Sequence, residues 1–269
     1  MQDDYQQRFG GITRLYGQLG AEALQQAHVA LIGVGGVGSW CCEALVRSGI
    51  GALTLIDPDD IARSNTNRQL HTLETTLGRS KVAVMAERMA LIHPHCDINA
   101  IDDRLSITNI GRLLPAGVTV VIDCIDRVSI KAALIGHCKV HRLPIVTTGG
   151  AGGQIEPAKI GVVDLSRTSC DPLAAKVRAL LRRHYHFPRN PKRKFQVACV
   201  SSTEQPRYPT IDGATTFRKP SSAATTLDCQ TGYGAVTMVT ASFGLHAAAE
   251  AVRLIIQQPA LASHAIDAN

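Results

Sequence analysis

Short apolar runs alternate with helical periodicities through the first half of the chain. Runs of consecutive apolar residues, each bounded by polar residues or Gly, predict buried strands at 27–32, 53–56, 118–122 and 145–148. Apolar residues at intervals of three and four predict helices at 38–48, 79–93 and 128–141. The chain therefore alternates strand and helix over about 120 residues.

This alternation predicts an α/β fold with a Rossmann-like, doubly wound and mostly parallel sheet. After Gly153 the pattern changes, and the predicted elements are strands near 160–165 and 195–200 with a helix at 172–184 between them. The stretch 204–227 is rich in Pro, Ser, Thr and Gly, which predicts a long loop. We therefore expect one domain over 1–269, with a core at about 13–150 and a C-terminal elaboration at about 154–269.

The segment 231–249 contains no charged residue and nearly reaches the length of a membrane span. Because Thr, Ser and Gly interrupt it and Glu250 and Arg253 follow, we expect a buried core helix rather than membrane association through 231–256. No basic, apolar leader begins at Met1, and the eight Cys form no CxxC pair. These features argue against a disulfide framework and a zinc ribbon, and they predict a cytoplasmic protein.

The net charge of +6 comes from one stretch of the chain. Between Pro172 and Thr203 there are eight Lys and Arg residues and no Asp or Glu, so the rest of the chain is net acidic. Such a cluster indicates a surface that binds a polyanion, with a solvated helix face as the alternative. The candidate RNA-binding residues are Arg182, Arg183, Lys192, Arg193 and Lys194.

A glycine-rich turn follows the first predicted strand and opens the first predicted helix. Its glycines are Gly33, Gly35, Gly36 and Gly38, and glycine lets the backbone turn tightly and approach a phosphate at the helix N-terminus. Asp57 ends the next strand, where a carboxylate can accept a hydrogen bond from a ribose hydroxyl. The pattern predicts that the core binds an adenine nucleotide, and a dehydrogenase is the commonest protein of this kind.

The loop after Asp57 argues against hydride transfer. It carries Asp59, Asn65 and Arg68, and Lys81 begins the next predicted helix. These cations suit the cleavage of a triphosphate, because negative charge then builds on the α-phosphate and on the leaving pyrophosphate. Carboxylates suited to Mg²⁺ follow a later strand, at Asp126 and Asp123.

Taken together, these motifs resemble the ubiquitin-activating/MoeB/ThiF superfamily of adenylating enzymes. The similarity covers about 13–150 and consists of the GxGGxG turn, the D-x-D…S-N-x-x-R-Q loop, the lysine and the D-C-x-D strand end. It implies ATP and Mg²⁺ as cofactors, allows a monovalent cation, and implies a homodimer in which Arg14 reaches the nucleotide of the partner subunit. By the same resemblance Asp57 holds the ribose, Asp59 is a second acidic contributor, Asn65, Arg68 and Lys81 bind phosphates, and Asp126 is the magnesium ligand and catalytic acid.

Departures from the general pattern indicate one branch of this superfamily. The zinc-binding CxxC pairs of the sulfur-carrier activators are missing, and Arg127 stands where many relatives have Asn. The stretch 149–157, the turn 169–173 and the basic helix resemble a bacterial branch that modifies tRNA. This resemblance implies that ATP converts the threonine carboxylate of threonylcarbamoyladenosine in tRNA into an acyl-adenylate. Attack from within the same side chain then gives a cyclic product with net loss of water.

Two other functions remain open from the residues. A sulfur relay with a cysteine-desulfurase system, also a partner that this branch implies, requires an exposed and activated thiol. The candidates are Cys170, Cys199 and Cys229, whereas Cys124 is expected to lie in the core. A nucleotide-sensing scaffold is the third possibility, and it would bind ATP without releasing pyrophosphate.

Overall fold

One mixed sheet forms the centre of the computed structural model, which describes residues 2–210, 212–218 and 234–257. Its strands are β1 (His28–Ile32), β2 (Ala52–Ile56), β3 (Asp97–Ile101), β4 (Val120–Asp123), β5 (Ile145–Thr148), β6 (Ile160–Asp164) and β7 (Ala198–Ser202). Their order is β3-β2-β1-β4-β5-β7-β6, and β6 runs antiparallel to β7 while the other neighbouring pairs are parallel. The prediction of a Rossmann-like, doubly wound and mostly parallel sheet is confirmed.

Helices cover both faces of this sheet. They are α1 (Gln2–Gln26), α2 (Gly38–Arg47), α3 (Lys81–Ile92), α4 (Ile110–Leu113), α5 (Val128–Val140), α6 (Pro172–His184) and α7 (Thr237–Gln257). On one face α2, α3 and α7 contribute Leu45, Met85 and Phe243 to a buried apolar layer. On the other face α5 and α6 contribute Leu134 and Val177 to a second layer. The sheet is therefore enclosed by apolar side chains on both sides, which explains why its inner strands are continuous apolar runs.

Several elements differ from those that the apolar pattern predicts, and the short helix α4 is one that it misses. The pattern misses α1, whose residues are largely polar and whose periodicity is interrupted at Gly17 by a φ of 75°. It also misses β3, because this edge strand has exposed or half-buried side chains and no apolar run. The strand predicted at 195–200 begins instead at Ala198, since Phe195 and Val197 are buried in the apolar layer of α6.

Helix α7 lies in the segment for which membrane association was the alternative. It is long and apolar enough to cross a membrane, but Val239 and Phe243 are fully buried and the helix packs closely against α2. Gly244 permits this contact, because a Cβ atom there would lie 2.4 Å from the carbonyl oxygen of Val37. The structure thus accounts for this uncharged segment from Thr237 onward as a core helix, and residues 231–233 lie outside the described residues.

Part of the predicted loop at 204–227 forms a short hairpin of β8 (Tyr208–Pro209) and β9 (Thr215–Thr216). At its start the buried Glu204 accepts hydrogen bonds from the backbone N–H groups of Ile155 and Glu156, at 3.1 and 2.9 Å. These hydrogen bonds hold the start of the loop against the segment 155–156, which follows β5. Residues 211 and 219–227 of the predicted loop lie outside the described residues.

Candidate functional site

A cavity of about 830 Å³ opens at the carboxyl ends of β1 and β4. These strands are neighbours in the sheet, and the strand order reverses between them. Open α/β sheets bind their ligands at this position, because the loops that follow the two strands diverge there and leave a crevice. The cavity is lined by the turn after β1, the loop after β2, the turn after β4 and the glycine stretch after β5.

The glycine turn forms one side of the cavity through Gly33, Gly35 and Gly36. Gly33 has a φ of 89°, and a Cβ atom on it would lie 2.9 Å from the carbonyl oxygen of Cys124. Gly38 does not line the cavity but begins α2, where a Cβ atom would lie 1.9 Å from the Gly33 carbonyl oxygen. A side chain is therefore excluded at Gly33 and at Gly38, and a phosphate can approach the backbone amides of the turn.

Asp57 is held beside this turn at the end of β2. It is only 6% exposed, and its carboxylate accepts hydrogen bonds from the N–H groups of Val34 at 2.6 Å and Asp59 at 2.9 Å. Burial raises the pKa of Asp57, and the nearby positive charge of Lys81 acts in the opposite direction. The carboxylate thus has a fixed place in the cavity wall, at the carboxyl end of the second strand where a ribose contact is expected.

Arg68 and Lys81 bring positive charge to the same wall. Lys81 is almost completely buried at the start of α3, and its Nζ donates a hydrogen bond to Asp59 Oδ2 at 3.0 Å. The half-buried Arg68 donates to the Ser64 carbonyl oxygen at 2.9 Å and to Asn67 Oδ1 at 3.0 Å. The structure therefore brings Asp59, Arg68 and Lys81 to one cavity, next to the glycine turn.

Asn65 is not placed where the resemblance implies. Its side chain is buried, its Oδ1 accepts a hydrogen bond from the N–H of Ala62 at 3.0 Å, and the residue does not line the cavity. Asn65 therefore shapes the loop that carries Arg68 rather than facing a phosphate. Two other amide side chains of this loop do line the cavity, Gln69 and Asn67, and Asn67 Nδ2 donates to the carbonyl oxygen of Ala235 at 2.7 Å.

The two aspartates at the end of β4 have opposite environments. Asp123 is fully buried, and its Oδ2 accepts hydrogen bonds from Lys131 Nζ at 2.8 Å and from Thr147 Oγ1 at 2.7 Å. Its Oδ1 accepts from the N–H of Ile125 at 3.1 Å. Asp123 is therefore not the additional magnesium ligand that the sequence suggests, because it faces the Lys131 ammonium group instead of the cavity.

Asp126, three residues further on, is exposed and lines the cavity. Within the described ranges no side chain or backbone group forms a hydrogen bond or an ion pair with its carboxylate. It is thus free to meet a ligand. The short turn from Asp123 to Asp126 separates a carboxylate that stabilises the fold from one that is available for chemistry.

Asp171 is a residue of the cavity wall that the sequence analysis does not assign to the site. It caps α6 by accepting a hydrogen bond from the N–H of Ala174 at 2.9 Å, and it accepts another from the N–H of Gly150 at 3.1 Å. Burial raises the pKa of Asp171. A Cβ atom on Gly149 would lie 1.8 Å from Asp171 Oδ2, so the glycine stretch and α6 fit closely together. The Asp-Pro pair at the helix start is the sequence signal for this cap.

The predicted RNA-binding residues lie on and after α6, outside the cavity. Arg183, Lys192, Arg193 and Lys194 are exposed. Arg182 is half-buried, since its guanidinium carbon lies 5.1 Å from the centre of the Phe195 ring and its Nε donates to the Pro188 carbonyl oxygen at 3.4 Å. Arg182 therefore also stabilises the fold, whereas the other four are free for a partner.

Arg14 is exposed on α1 and does not line the cavity of its own chain. Leu15, Tyr16 and Leu19 on the same helix are also exposed, with 71%, 42% and 81% of their surface accessible. A single chain therefore presents the arginine next to an apolar patch on its surface.

The cysteines do not form a reactive centre among the described residues. Cys199 is completely buried in β7, which corrects the expectation that it lies near a loop, and burial raises the pKa of its thiol. Cys124 lines the cavity, but burial raises the pKa of its thiol to about 12, so it is protonated at neutral pH. Cys170 is exposed, and Cys229 lies outside the described residues.

The sheet topology, the glycine turn at the reversal of strand order and the cations beside it define a Rossmann-like nucleotide-binding protein. Residues 11–268 match the ThiF family model, and the chain belongs to this family.

Its relatives extend the similarity to nearly the whole chain. It is 48% identical to the tRNA threonylcarbamoyladenosine dehydratase of Haemophilus influenzae, covering 95% of this chain and 96% of that protein. It is 46% identical to the enzyme of the same name from Escherichia coli, covering 96% of this chain and 97% of the relative. The crystal structure of the Escherichia coli dehydratase in complex with ATP is similar with a TM-score of 0.84 and 45% identity, over 94% of this chain and 95% of that one. The AMP complex gives a TM-score of 0.83 and 44% identity over 94% and 96% of the two chains.

Proposed function

We propose that this protein is an ATP-dependent dehydratase that acts on threonylcarbamoyladenosine in tRNA. The observation that carries the proposal is one cavity that is lined by the glycine turn, Arg68, Lys81 and Asp126, a carboxylate without a partner among the described residues. It occurs in a chain that resembles such dehydratases from end to end. A cytoplasmic location, as expected from the sequence, agrees with a tRNA substrate.

The reaction has two covalent steps. An oxygen of the threonine carboxylate attacks the α-phosphorus of ATP, pyrophosphate leaves, and an acyl-adenylate forms. The ureido oxygen or nitrogen of the same side chain then attacks the acyl carbon, AMP leaves with the former carboxylate oxygen, and a proton is released. The ring closes within one molecule at a high effective molarity, so no nucleophile from the protein is required. This agrees with the buried state of Cys199 and the high pKa of Cys124.

The residues around the glycine turn bind ATP in this proposal. The amides of the turn and the cations Arg68 and Lys81 meet the phosphates, and their charge counts most when pyrophosphate leaves. Asp57 accepts a hydrogen bond from the ribose. Lys81 is suited to binding a phosphate, because its ion pair with Asp59 holds the ammonium group in place. The Asp59 side chain itself stays half exposed.

Magnesium fits the site through one carboxylate. The described residues contain no cluster of three His, Cys, Asp or Glu side chains that could form a metal cage, so neither Mg²⁺ nor a monovalent cation has such a cage in this part of the chain. Mg²⁺ in nucleotide enzymes is commonly held by one or two carboxylates together with phosphate oxygens and water. Asp126 is the residue that would hold it, and the ion would neutralise the phosphates.

Two further features of the proposal concern partners. The exposed cations Arg183, Lys192, Arg193 and Lys194 contact tRNA phosphates, which are the anions that such a cluster attracts.

The protein acts as a homodimer in which Arg14 completes the site of the other subunit. The exposed Leu15 and Tyr16, which directly follow Arg14 on α1, support this arrangement, because exposed apolar residues are common at protein interfaces.

The proposal is tested with tRNA that carries threonylcarbamoyladenosine, ATP and Mg²⁺. We expect the modified nucleoside to lose the mass of one water molecule, as measured by mass spectrometry of the digested tRNA, and to lose it only when ATP is present. The Asp126→Asn variant provides the control. Unchanged nucleoside with wild-type protein that binds both ATP and tRNA would contradict the proposed function.

A further inference from the structure

The cavity has a second side that the nucleotide contacts do not use. One side consists of the glycine turn and the loop after β2, and Asp126 lies where this side meets the other. The second side consists of Arg127, the glycine stretch 149–152 and the beginning of α6 up to Lys176. A substrate that reacts with bound ATP must enter from this second side, since its reacting carboxylate has to reach the α-phosphate.

The cations of the first side already have partners within the protein. Their contacts are Arg63 with Glu74 at 3.0 Å, Arg68 with the Ser64 carbonyl oxygen at 2.9 Å, Lys81 with Asp59 at 3.0 Å and Arg104 with Asp59 at 3.7 Å. Each of these four side chains therefore has a partner within the chain, and the buried Lys81 is the most firmly held of them.

Arg127 and Lys176 differ from these four. Both side chains are exposed and both line the cavity. Over the ranges that the structure describes, neither has a hydrogen bond or an ion pair. Among the described residues they are thus the two cavity cations without a side-chain partner, and both belong to the second side of the cavity.

The substrate of the proposed reaction brings two kinds of negative charge to this side. Its threonine carboxylate must lie next to the phosphates of ATP and the carboxylate of Asp126, which both repel it. A cation at the approach to Asp126 offsets this repulsion, and Arg127 directly follows Asp126 in the chain. The RNA backbone brings phosphates as well, and Lys176 is the cation through which the basic helix α6 reaches the cavity.

We propose that Arg127 and Lys176 bind the substrate tRNA in the cavity, and that Arg127 determines specificity for the modified nucleotide. Arg127 binds the threonine carboxylate, because a planar guanidinium group can donate two parallel hydrogen bonds to it. Lys176 binds a phosphate beside the modified adenosine as a point charge and continues the basic surface of α6 into the cavity. This inference rests on the proposed function and assigns the part of the site that recognises the substrate.

The test compares two tRNAs that differ only in the threonylcarbamoyl group. Binding of each tRNA is measured with a non-hydrolysable ATP analogue present, for the wild type, Arg127→Gln, Arg127→Lys, Lys176→Gln and the control Arg112→Gln. Arg112 is an exposed arginine that pairs with Asp103 outside the cavity. Turnover of the modified tRNA and affinity for the ATP analogue are measured in parallel.

We expect the wild type to prefer the modified tRNA and Arg127→Gln to lose this preference, with a KM for modified tRNA raised about tenfold or more. Arg127→Lys should recover only part of it, since an ammonium group cannot form the paired hydrogen bonds. Lys176→Gln should weaken the binding of both tRNAs by the same factor. The affinity for the ATP analogue should stay within twofold throughout, as it should in Arg112→Gln.

Several results would overturn the inference. Arg127→Gln with an unchanged preference and KM would exclude a contact with the carboxylate, and so would a wild type that binds both tRNAs equally. Lys176→Gln with unchanged binding of both tRNAs would exclude the phosphate contact. These results are distinct from failure of the proposed function, in which the wild type binds modified tRNA and ATP but does not remove water.

Discussion

At the scale of single residues, the turn after β4 shows how two similar side chains acquire different roles. Asp123 is buried against Lys131, which is itself only 2% exposed, while Asp126 faces the cavity without a partner among the described residues. The buried pair also fixes the turn, because Asp123 accepts a hydrogen bond from the N–H of Ile125. Asp126 therefore projects from a rigid support.

This buried ion pair predicts a large effect on stability. Replacing Lys131 by Met leaves the charge of Asp123 buried and uncompensated, so we expect the free energy of unfolding to fall by about 3–5 kcal/mol. Urea denaturation measures it. Lys139→Met, at an exposed position of the same helix, should change stability by less than about 0.5 kcal/mol. Equal stability of the two variants would show that the buried carboxylate of Asp123 does not need the charge of Lys131.

The catalytic assignment makes a second prediction at this scale. Lys81→Ala and Asp126→Asn should each lower the rate of pyrophosphate release by about 10²–10³, because each removes a charge that acts on the phosphates in the transition state. Asp60→Asn is the control, since Asp60 is an exposed carboxylate of the same loop that does not line the cavity. Release at the wild-type rate in either of the first two variants would remove that residue from the mechanism.

At the scale of elements, α7 supports the nucleotide site from behind. It packs on α2 so closely that Gly244 has no room for a side chain against Val37 and Trp40. Val37 belongs to the turn between β1 and α2 that lines the cavity. The packing of α7 thus bears directly on the backbone of the glycine turn, and we expect it to determine where the turn lies.

We expect Gly244→Ala to destabilise the protein by about 1–3 kcal/mol through overpacking and also to weaken ATP binding, because the backbone of the turn must shift. Thermal unfolding and nucleotide titration measure the two effects. Gly161→Ala in β6 is the matched control, since a Cβ atom there meets nothing within 4 Å. Weakened stability with unchanged ATP affinity would show that α7 does not position the turn.

Elements with a buried apolar run could be predicted from the sequence. The strand β5 and the helix α6 have the predicted bounds, β1, β2 and β4 differ from theirs by one or two residues, and β7 begins three residues later than predicted. The edge strand β3 and the polar helix α1 could not, because tertiary pairing and not local apolarity makes them form.

The site divides in the same way. The glycine turn and Asp57 follow from their positions after strands, and Lys81 follows from its position at the start of the next helix. The sequence could not show that Asp123 and Asp126 have different roles, because only the packing of α5 shows that Lys131 donates a hydrogen bond to Asp123. Tertiary packing also shows why Asn65 is not at the phosphates to which the resemblance assigns it, since in the structure the Oδ1 of Asn65 accepts a hydrogen bond from the N–H of Ala62.

At the scale of the whole molecule, the basic surface and the nucleotide cavity lie at different parts of α6. The N-cap Asp171 and Lys176, in the first half of the helix, line the cavity. The last turn of the helix carries Arg182 and Arg183. One rigid helix therefore links the surface that we assign to tRNA with the site that we assign to ATP.

Replacing Arg183, Lys192, Arg193 and Lys194 by Gln should weaken tRNA binding and reduce the slope of log Kd against log salt by about 3. Arg182 is left in place because it packs on Phe195. ATP affinity should remain unchanged, since none of the four lines the nucleotide cavity. A variant with wild-type tRNA affinity and salt dependence would show that this surface is only solvated.

The central claim is that ATP activates a carboxylate of the tRNA as an acyl-adenylate, and isotope transfer tests it most directly. The tRNA is prepared with a heavy oxygen isotope in the threonine carboxylate, and the nucleotide products of a single turnover are analysed by mass spectrometry. Adenylation requires one labelled oxygen to leave in the phosphate of AMP, together with unlabelled pyrophosphate. Label recovered in inorganic phosphate with ADP as the other product, or AMP without label, would contradict the account.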